Sequence, residues 1–325
     1  MKTKHLIMAM AALAMAGCSQ NEITEQSPDA NPAIGFNVYT GTQTRGAVTS
    51  TADIYTPGFG VMAVKGSDLY MTKRQVTSAD NGSTWTYPIA AYWPADGANL
   101  SFYSYAPYGG TGITDTSFDD DNTPEISFQI QDTWANMVDL VAAKNDNVTS
   151  STSPVSVSLK HILTRLAFTA NVSENISSTG TTVQITSLKI VQANSAKFYK
   201  SATYNIATDT WSAQTAITAD YPIISSATTI NADGTSTALT AANEYLFCIP
   251  VTSMSEGDVQ LEVTYKTTVN SVASTKTVQF KVPVNHFAQG TAYVYNFTIS
   301  LGKIVFTGAV DDTWTNGSGS LVPVP

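Results

Sequence analysis

The chain has 325 residues, 43% of them apolar and only 13% charged, with 16 basic residues against 25 acidic and a formal net charge of −9. That is enough chain for two domains of ordinary size, and the acidic balance excludes nucleic acid as a natural partner. With 2 Cys there is no disulfide framework, while 15 Tyr, 12 Phe and many Thr, Ser and Val against few Lys, Glu and Leu favour strands over helices.

The first residues read Met1-Lys2-Thr3-Lys4-His5, then an apolar run from Leu6 to Ala16, then Gly17-Cys18. A basic start, a short apolar middle and small residues make a secretory leader, too short to span a bilayer as a mature helix. A lone Cys after small residues is where bacterial lipoprotein processing acylates the sulfur and cuts before it, so residues 1–17 are expected to leave and Cys18 to carry lipid. Loss of Lys2 and Lys4 from the 16 basic residues leaves 14 against 25 acidic, a charge of about −11. Ser19, rather than Asp, after the acylated Cys resembles lipoproteins sent to the outer membrane. Residues 18–33 are polar, acidic and carry Pro28 and Pro32, the character of a flexible tether.

Ile34, Phe36 and Val38 then alternate with Gly35, Asn37 and Tyr39, the period-2 pattern of a strand with one buried face. A polar loop from Gly41 to Gly46 holds one basic residue, Arg45. Alternation resumes from Gly58 to Val64, and Leu69–Met71 with Gln75-Val76 are expected to pair with the segment beyond the hairpin signal Asn81-Gly82. Trp85 and Tyr87 share a face, Tyr92-Trp93-Pro94 leads to a turn, and Leu100 to Tyr108 forms the next strand. Gly109–Asn122 is a long loop with Asp115, Asp119, Asp120 and Asp121, after which Ile126, Phe128 and Ile130 alternate again.

Asp139–Lys144 is a short buried strand, and Val155, Val157 and Leu159 open one that runs toward Phe168; the domain boundary is placed here, with 34–162 as one β domain and 163–325 as the other. Later strands are expected at 182–192, 197–204, 245–251, 260–265, 277–282 and 293–301. No helical periodicity is sustained and no fixed repeat appears.

The sequence holds no Gly-x-Ser-x-Gly elbow, phosphate loop or dinucleotide fingerprint, so an enzyme is not expected and no cofactor is called for. His161 and His286 stand far apart in sequence without a neighbouring Cys or a His-x-x-x-His spacing, which argues against zinc. The Asp119–Asp121 run has the carboxylates for calcium but not the spaced ligand order, and reads better as a solvated loop, so no metal is assigned. Cys248 lies in the apolar run Tyr245–Pro250, the setting of a buried structural thiol. Tyr92, Trp93, Tyr103, Tyr105 and Tyr108 suggest a sugar-stacking platform, but alternation sends roughly half such rings to a core.

Several short stretches, taken in order, resemble the fimbrillins, the major and accessory pilus subunits of Bacteroides-type bacteria. They are the lipoprotein start, Thr44-Arg45 after the first strand, Tyr92-Trp93-Pro94 followed by Leu100–Pro107, Asp139-Leu140 ahead of His161, Leu163–Phe168, Tyr204-Asn205 with Trp211, Phe247–Pro250 and Gly290–Tyr295. Phe287 departs from the Trp that relatives place ahead of Gly-x-x-Tyr. The resemblance spans nearly the whole mature chain. It implies an all-β protein with two transthyretin-like β-sandwich domains in tandem, export as an outer-membrane lipoprotein, trimming by an Arg-specific protease, and polymerisation with other fimbrial subunits by strand exchange, in support of cell adhesion to a host or bacterial surface ligand. A monomeric, anchored glycan-binding lipoprotein is the alternative.

The residues give this scheme two sites. Cleavage is expected between Arg45 and Gly46, in a loop where backbone can enter a protease without unfolding a core; a solvated arginine that is never cut is the alternative. Loss of Ile34, Phe36 and Val38 would then uncover an apolar groove. Near the C-terminus Ile304, Phe306, Gly308 and Val310 alternate with Val305, Thr307 and Ala309, repeating the Ile-x-Phe start, so Ile304–Val310 is expected to be the donor strand for the next subunit. The other reading makes it simply the last strand of its own sandwich.

Overall fold

The computed structural model describes residues 31–40, 51–114, 123–133, 136–241, 244–300 and 303–311. Cys18, Arg45, Gly46 and the Asp119–Asp121 loop lie outside the described residues. The strands in chain order are β1 (Phe36–Thr40), β2 (Phe59–Lys65), β3 (Asp68–Val76), β4 (Leu100–Ala106), β5 (Ile113–Thr114), β6 (Glu125–Gln129), β7 (Val141–Val148), β8 (Val155–His161), β9 (Thr164–Val172) and β10 (Thr181–Ile190). They continue with β11 (Tyr199–Asn205), β12 (Thr210–Ala216), β13 (Tyr221–Ile224), β14 (Thr228–Thr229), β15 (Thr237–Ala238), β16 (Leu246–Cys248), β17 (Gln260–Val269), β18 (Val272–Lys281), β19 (Ala292–Ile299) and β20 (Ile304–Val310). The fold is all-β, and among the described residues helix is limited to short 3-10 turns such as Thr51–Ile54.

Four sheets organise these strands. A six-stranded sheet runs β1-β8-β7-β4-β2-β3, a four-stranded one β12-β11-β6-β5, and two five-stranded sheets run β13-β10-β17-β18 and β15-β9-β19-β20, with β14 and β16 joined at the side. The last two make a sandwich, which agrees with the expected tandem sandwich plan. The division at 162/163 falls between β8 and β9, but backbone pairing crosses it. β6, from the first half of the chain, bonds to β11 of the second half, with Phe128 opposite Ala202.

Burial explains that pairing. One face of the six-stranded sheet joins Phe36, Phe59, Val61, Phe102, Val155, Val157 and Leu159 with Trp85 and Trp93. The other face, carrying Met62, Val64, Tyr103, Tyr105 and Ala142, packs with Ile126 and Phe128 of β6 into the core of the C-terminal strands. β4 lies inside this sheet with a core against each of its faces, which is why it is buried at nearly every position instead of alternating.

Two local expectations change. The hairpin here turns at Gly66, which sits at φ 62°, so β3 pairs with the preceding β2 and not with the segment beyond Gly82. Asn81 and Gly82 do take left-handed backbone, at φ 57° and 85°, but close only a single bridge between Thr77 and Thr86. β12 and β13 fall in stretches where no strand was expected; β12 is exposed at most positions and so lacks the apolar alternation that marks a strand.

Candidate functional site

The first strand sits in a seat built almost wholly of apolar side chains. Ile34, Phe36 and Val38 are 2%, 3% and 8% exposed, as their alternation foretells. β1 runs parallel to β8, with Phe36 opposite Val155, Val38 opposite Val157 and Thr40 opposite Leu159. The Phe36 ring centroid lies 5.8 Å from each of Phe59, Tyr87 and Phe102, edge-on to the two phenylalanines. The start of the segment is held on its other side: the Ile34 N–H donates to the Ala91 carbonyl at 2.8 Å, the Tyr87 hydroxyl to the Ile34 carbonyl at 2.7 Å, and the Trp93 N–H to Pro32 at 3.1 Å. The strand is therefore clamped between β8 and the 87–93 segment, and β8 is its one ladder among the described strands. Lifting it out would leave an apolar groove walled by an unpaired strand edge.

Where β1 ends, β8 continues to Lys160 and His161, which line a cleft of about 440 Å³ together with Lys144, Ser158, Tyr204 and Asp209. Most of its polar groups are engaged. His161 Nδ1 lies 2.9 Å from Asp139 Oδ2, and Lys144 pairs with Asp146 at 2.9 Å. The Asp209 carboxylate accepts from the Tyr204 hydroxyl at 2.5 Å and the Gln289 amide at 2.6 Å; burial pushes the Tyr204 phenol upward, so it stays a donor. Lys160 is exposed and has no ion-pair partner among the described residues.

β20 lies antiparallel to β19 at the edge of its sheet, so in this structure it is the last strand of its own sandwich. Its inward face is the Ile304, Phe306, Gly308, Val310 set. The Phe306 ring centroid is 5.3 Å from Tyr295, 5.3 Å from Phe280 and 5.4 Å from Phe297. Glycine at 308 is dictated by close approach: a Cβ there would stand 2.9 Å from both the Tyr295 ring and His286 Cε1. His286 is stacked 4.6 Å from Tyr293, its Nδ1 is 3.0 Å from the Tyr295 hydroxyl, and burial lowers its pKa to about 4, so the ring is neutral. Just past β20 the Asp311 N–H donates to Ala292 at 2.8 Å, and its carboxylate forms an ion pair with the guanidinium of Arg165. Arg165 is 2% exposed and lies 4.3 Å from the centre of the Tyr245 ring. Burial draws its pKa down from the ordinary value, and the Asp311 carboxylate opposes that shift.

The other candidates resolve simply. Cys248 is fully buried with its thiol pKa pushed well up, an inert packing group. Among the five aromatics considered for sugar stacking, Trp93, Tyr103 and Tyr105 are buried and only Tyr92, at 53% exposure, stands clear, so they form no common platform. Arg74 lies within β3, hydrogen-bonded to Thr72 at 2.8 Å, and Arg165 is buried in β9, so neither is presented as Arg45 is expected to be. Among the described residues no three His, Cys, Asp or Glu side chains could hold a metal together, and no helix is long and apolar enough to cross a membrane. The clamp from Tyr87 to Trp93 and the Arg165–Asp311 pair were not foreseen. Arg165 inside the apolar run Leu163–Phe168 is the signal that points to the second, because a buried guanidinium requires a partner.

The family model described as fimbrillin-like matches residues 25–314. The fimbrium subunit Fim1C of Phocaeicola vulgatus strain ATCC 8482 is 30% identical over an alignment 381 positions long that covers 100% of each chain. Among solved structures, a fimbrial protein from Bacteroides vulgatus ATCC 8482 superposes with a TM-score of 0.73 at 24% identity, covering 86% of this chain and 99% of its own. A protein of proposed cell-adhesion function from Bacteroides uniformis ATCC 8492 superposes with a TM-score of 0.50 at 18% identity, covering 89% of this chain and 100% of its own.

Proposed function

The chain belongs to the fimbrillin-like family, and on that premise we propose that it is a subunit of a surface fimbrium that polymerises by strand exchange. The observation that carries this reading is the seat of β1. A short edge strand, joined to β8 by one parallel ladder and followed in the sequence by the polar Gly41–Gly46 stretch with Arg45, fills a groove that another chain's strand could fill in its place. In this reading the precursor is exported as a lipoprotein acylated at Cys18, reaches the outer membrane, and is cut between Arg45 and Gly46 by an Arg-specific protease. Ile34, Phe36 and Val38 then leave with the cut segment, and Ile304–Val310 of a neighbouring fimbrial subunit enters. The chemistry is assembly and adhesion, not catalysis.

The two strands match in the way exchange needs. Setting Phe306 in the place of Phe36 puts Ile304 at Ile34, Gly308 at Val38 and Val310 at Thr40, so the largest ring meets the seat lined by Phe59, Tyr87 and Phe102. The N-terminal sequence of the protein recovered from assembled fimbriae tests the processing step. A start at Gly46 is expected; fimbrial subunits that still begin at an acylated Cys18 would refute it.

A further inference from the structure

We infer that, in the assembled polymer, Asp311 of one subunit pairs with Lys160 of the next, a charged contact that fixes how far the donor strand slides into the groove. The inference rests on the strand-exchange reading above. Register is its basis. Along β1 and β8 the pairing advances residue by residue from Phe36 opposite Val155 to Thr40 opposite Leu159, so an incoming strand that continues this ladder by one residue would set that residue opposite Lys160. With Phe306 in the Phe36 seat, Val310 replaces Thr40 and the next residue is Asp311.

The faces agree as well. In β8, Val155, Val157 and Leu159 point into the core while Ser156 and Lys160 are exposed and Ser158 half-exposed between them. The incoming strand would carry Val305, Thr307, Ala309 and Asp311 on that outer face, which places Asp311 and Lys160 on the same side of neighbouring strands about 4.8 Å apart. A slip of two residues either way spoils the fit, since it puts Gly308 or Ile304 in the aromatic seat. It also moves Asp311 away from Lys160.

Lys160 is suited to the role. Lys144 and His161 beside it already have carboxylate partners, at 2.9 Å each, and the chain's own residues after Thr40 are Gly41-Thr42-Gln43-Thr44, without a carboxylate. In the precursor Asp311 is held by Arg165, so transfer exchanges one cationic partner for another.

The test uses the full chain trimmed at Arg45, freed of the cut segment as checked by mass, and a labelled peptide of residues 303–312. Binding is measured for the native peptide and its Asp311→Lys form, each against the native protein and Lys160→Glu. The native protein is expected to prefer the native peptide by roughly three- to ten-fold, and Lys160→Glu to reverse the preference, with both effects shrinking in high salt. If all four combinations bind equally, exchange stands and the Asp311–Lys160 pair is overturned. If no peptide binds in any combination, the strand-exchange reading falls and the pair falls with it.

Discussion

Arg165 and Asp311 form an ion pair across the C-terminal sheet: the guanidinium is 2% exposed on β9, and the carboxylate belongs to the residue just past edge strand β20. β19 lies between their strands, so the pair pins the end of β20 to the interior of its sheet. Any departure of β20 leaves a buried guanidinium without that carboxylate, which opposes release. The chain thus keeps β20 in its own sheet through a specific contact as well as through packing.

Replacing Asp311 with Asn should therefore destabilise the precursor. Its side chain keeps 23% exposure, so the cost is expected below that of a fully buried pair, roughly 1–3 kcal/mol. Urea denaturation of the precursor measures it, and a change under about 0.5 kcal/mol would mean that the pair is not what holds the strand end.

Gly308→Val should act in opposite directions in the sheet that holds β20 and in the groove proposed to receive it. In its own sheet the added Cβ would stand 2.9 Å from Tyr295 and His286, and overpacking of this kind costs about 1–3 kcal/mol. In the groove the same residue would occupy the place of Val38 and restore the native side chain there. The expected outcome is a less stable precursor together with a 303–312 peptide that binds trimmed protein more tightly than the native peptide. Equal loss in both assays would count against the proposed alignment.

His286 gives the C-terminal sheet a pH dependence. Its folded pKa is about 4 against an ordinary 6.5, so the unfolded chain takes up a proton at higher pH than the folded one. Stability from this group is complete above pH 6.5 and is lost as pH falls toward about 4, by up to about 3 kcal/mol. Thermal melts of the native protein and His286→Gln across that window check the sign: the native curve should fall more steeply with acid, and parallel curves would contradict the assignment.

Phe36→Ala should cost about 3 kcal/mol in the precursor, where the ring packs among Phe59, Tyr87 and Phe102. It should cost nothing in protein trimmed at Arg45 and freed of the strand, since the residue is then gone. Urea denaturation of the untrimmed chain measures the cost, and a loss under about 1 kcal/mol would contradict the packing of Phe36 in this seat.

Much of this arrangement was legible in the residues. The alternation at Ile34, Phe36, Val38 and again at Ile304, Phe306, Gly308, Val310 identified both edge strands and their inward faces, because period 2 is a local property of a half-buried strand. The crossing of the 162/163 boundary by β6 was not legible, since which strand Phe128 pairs with is decided by shared burial between distant segments. The same holds for Tyr103 and Tyr105: alternation sets them on the face opposite Phe102 but does not say what covers that face, which is the second core. Lys160 and Asp311 carry no signal alone; only the register of β1 on β8 relates them.

The central claim, that β20 of one subunit replaces β1 of the next in a defined register, is tested most directly by two outward-facing cysteines. Thr307 should come to lie opposite Ser156 in the polymer, and both are exposed, so Ser156→Cys with Thr307→Cys should leave folding intact. Cys248 is buried and does not compete. Fimbriae assembled from this variant after Arg45 cleavage should resolve, without reductant, into a ladder of disulfide-linked subunits that collapses to monomer on reduction. Fimbriae that assemble normally yet yield only monomer would contradict the account.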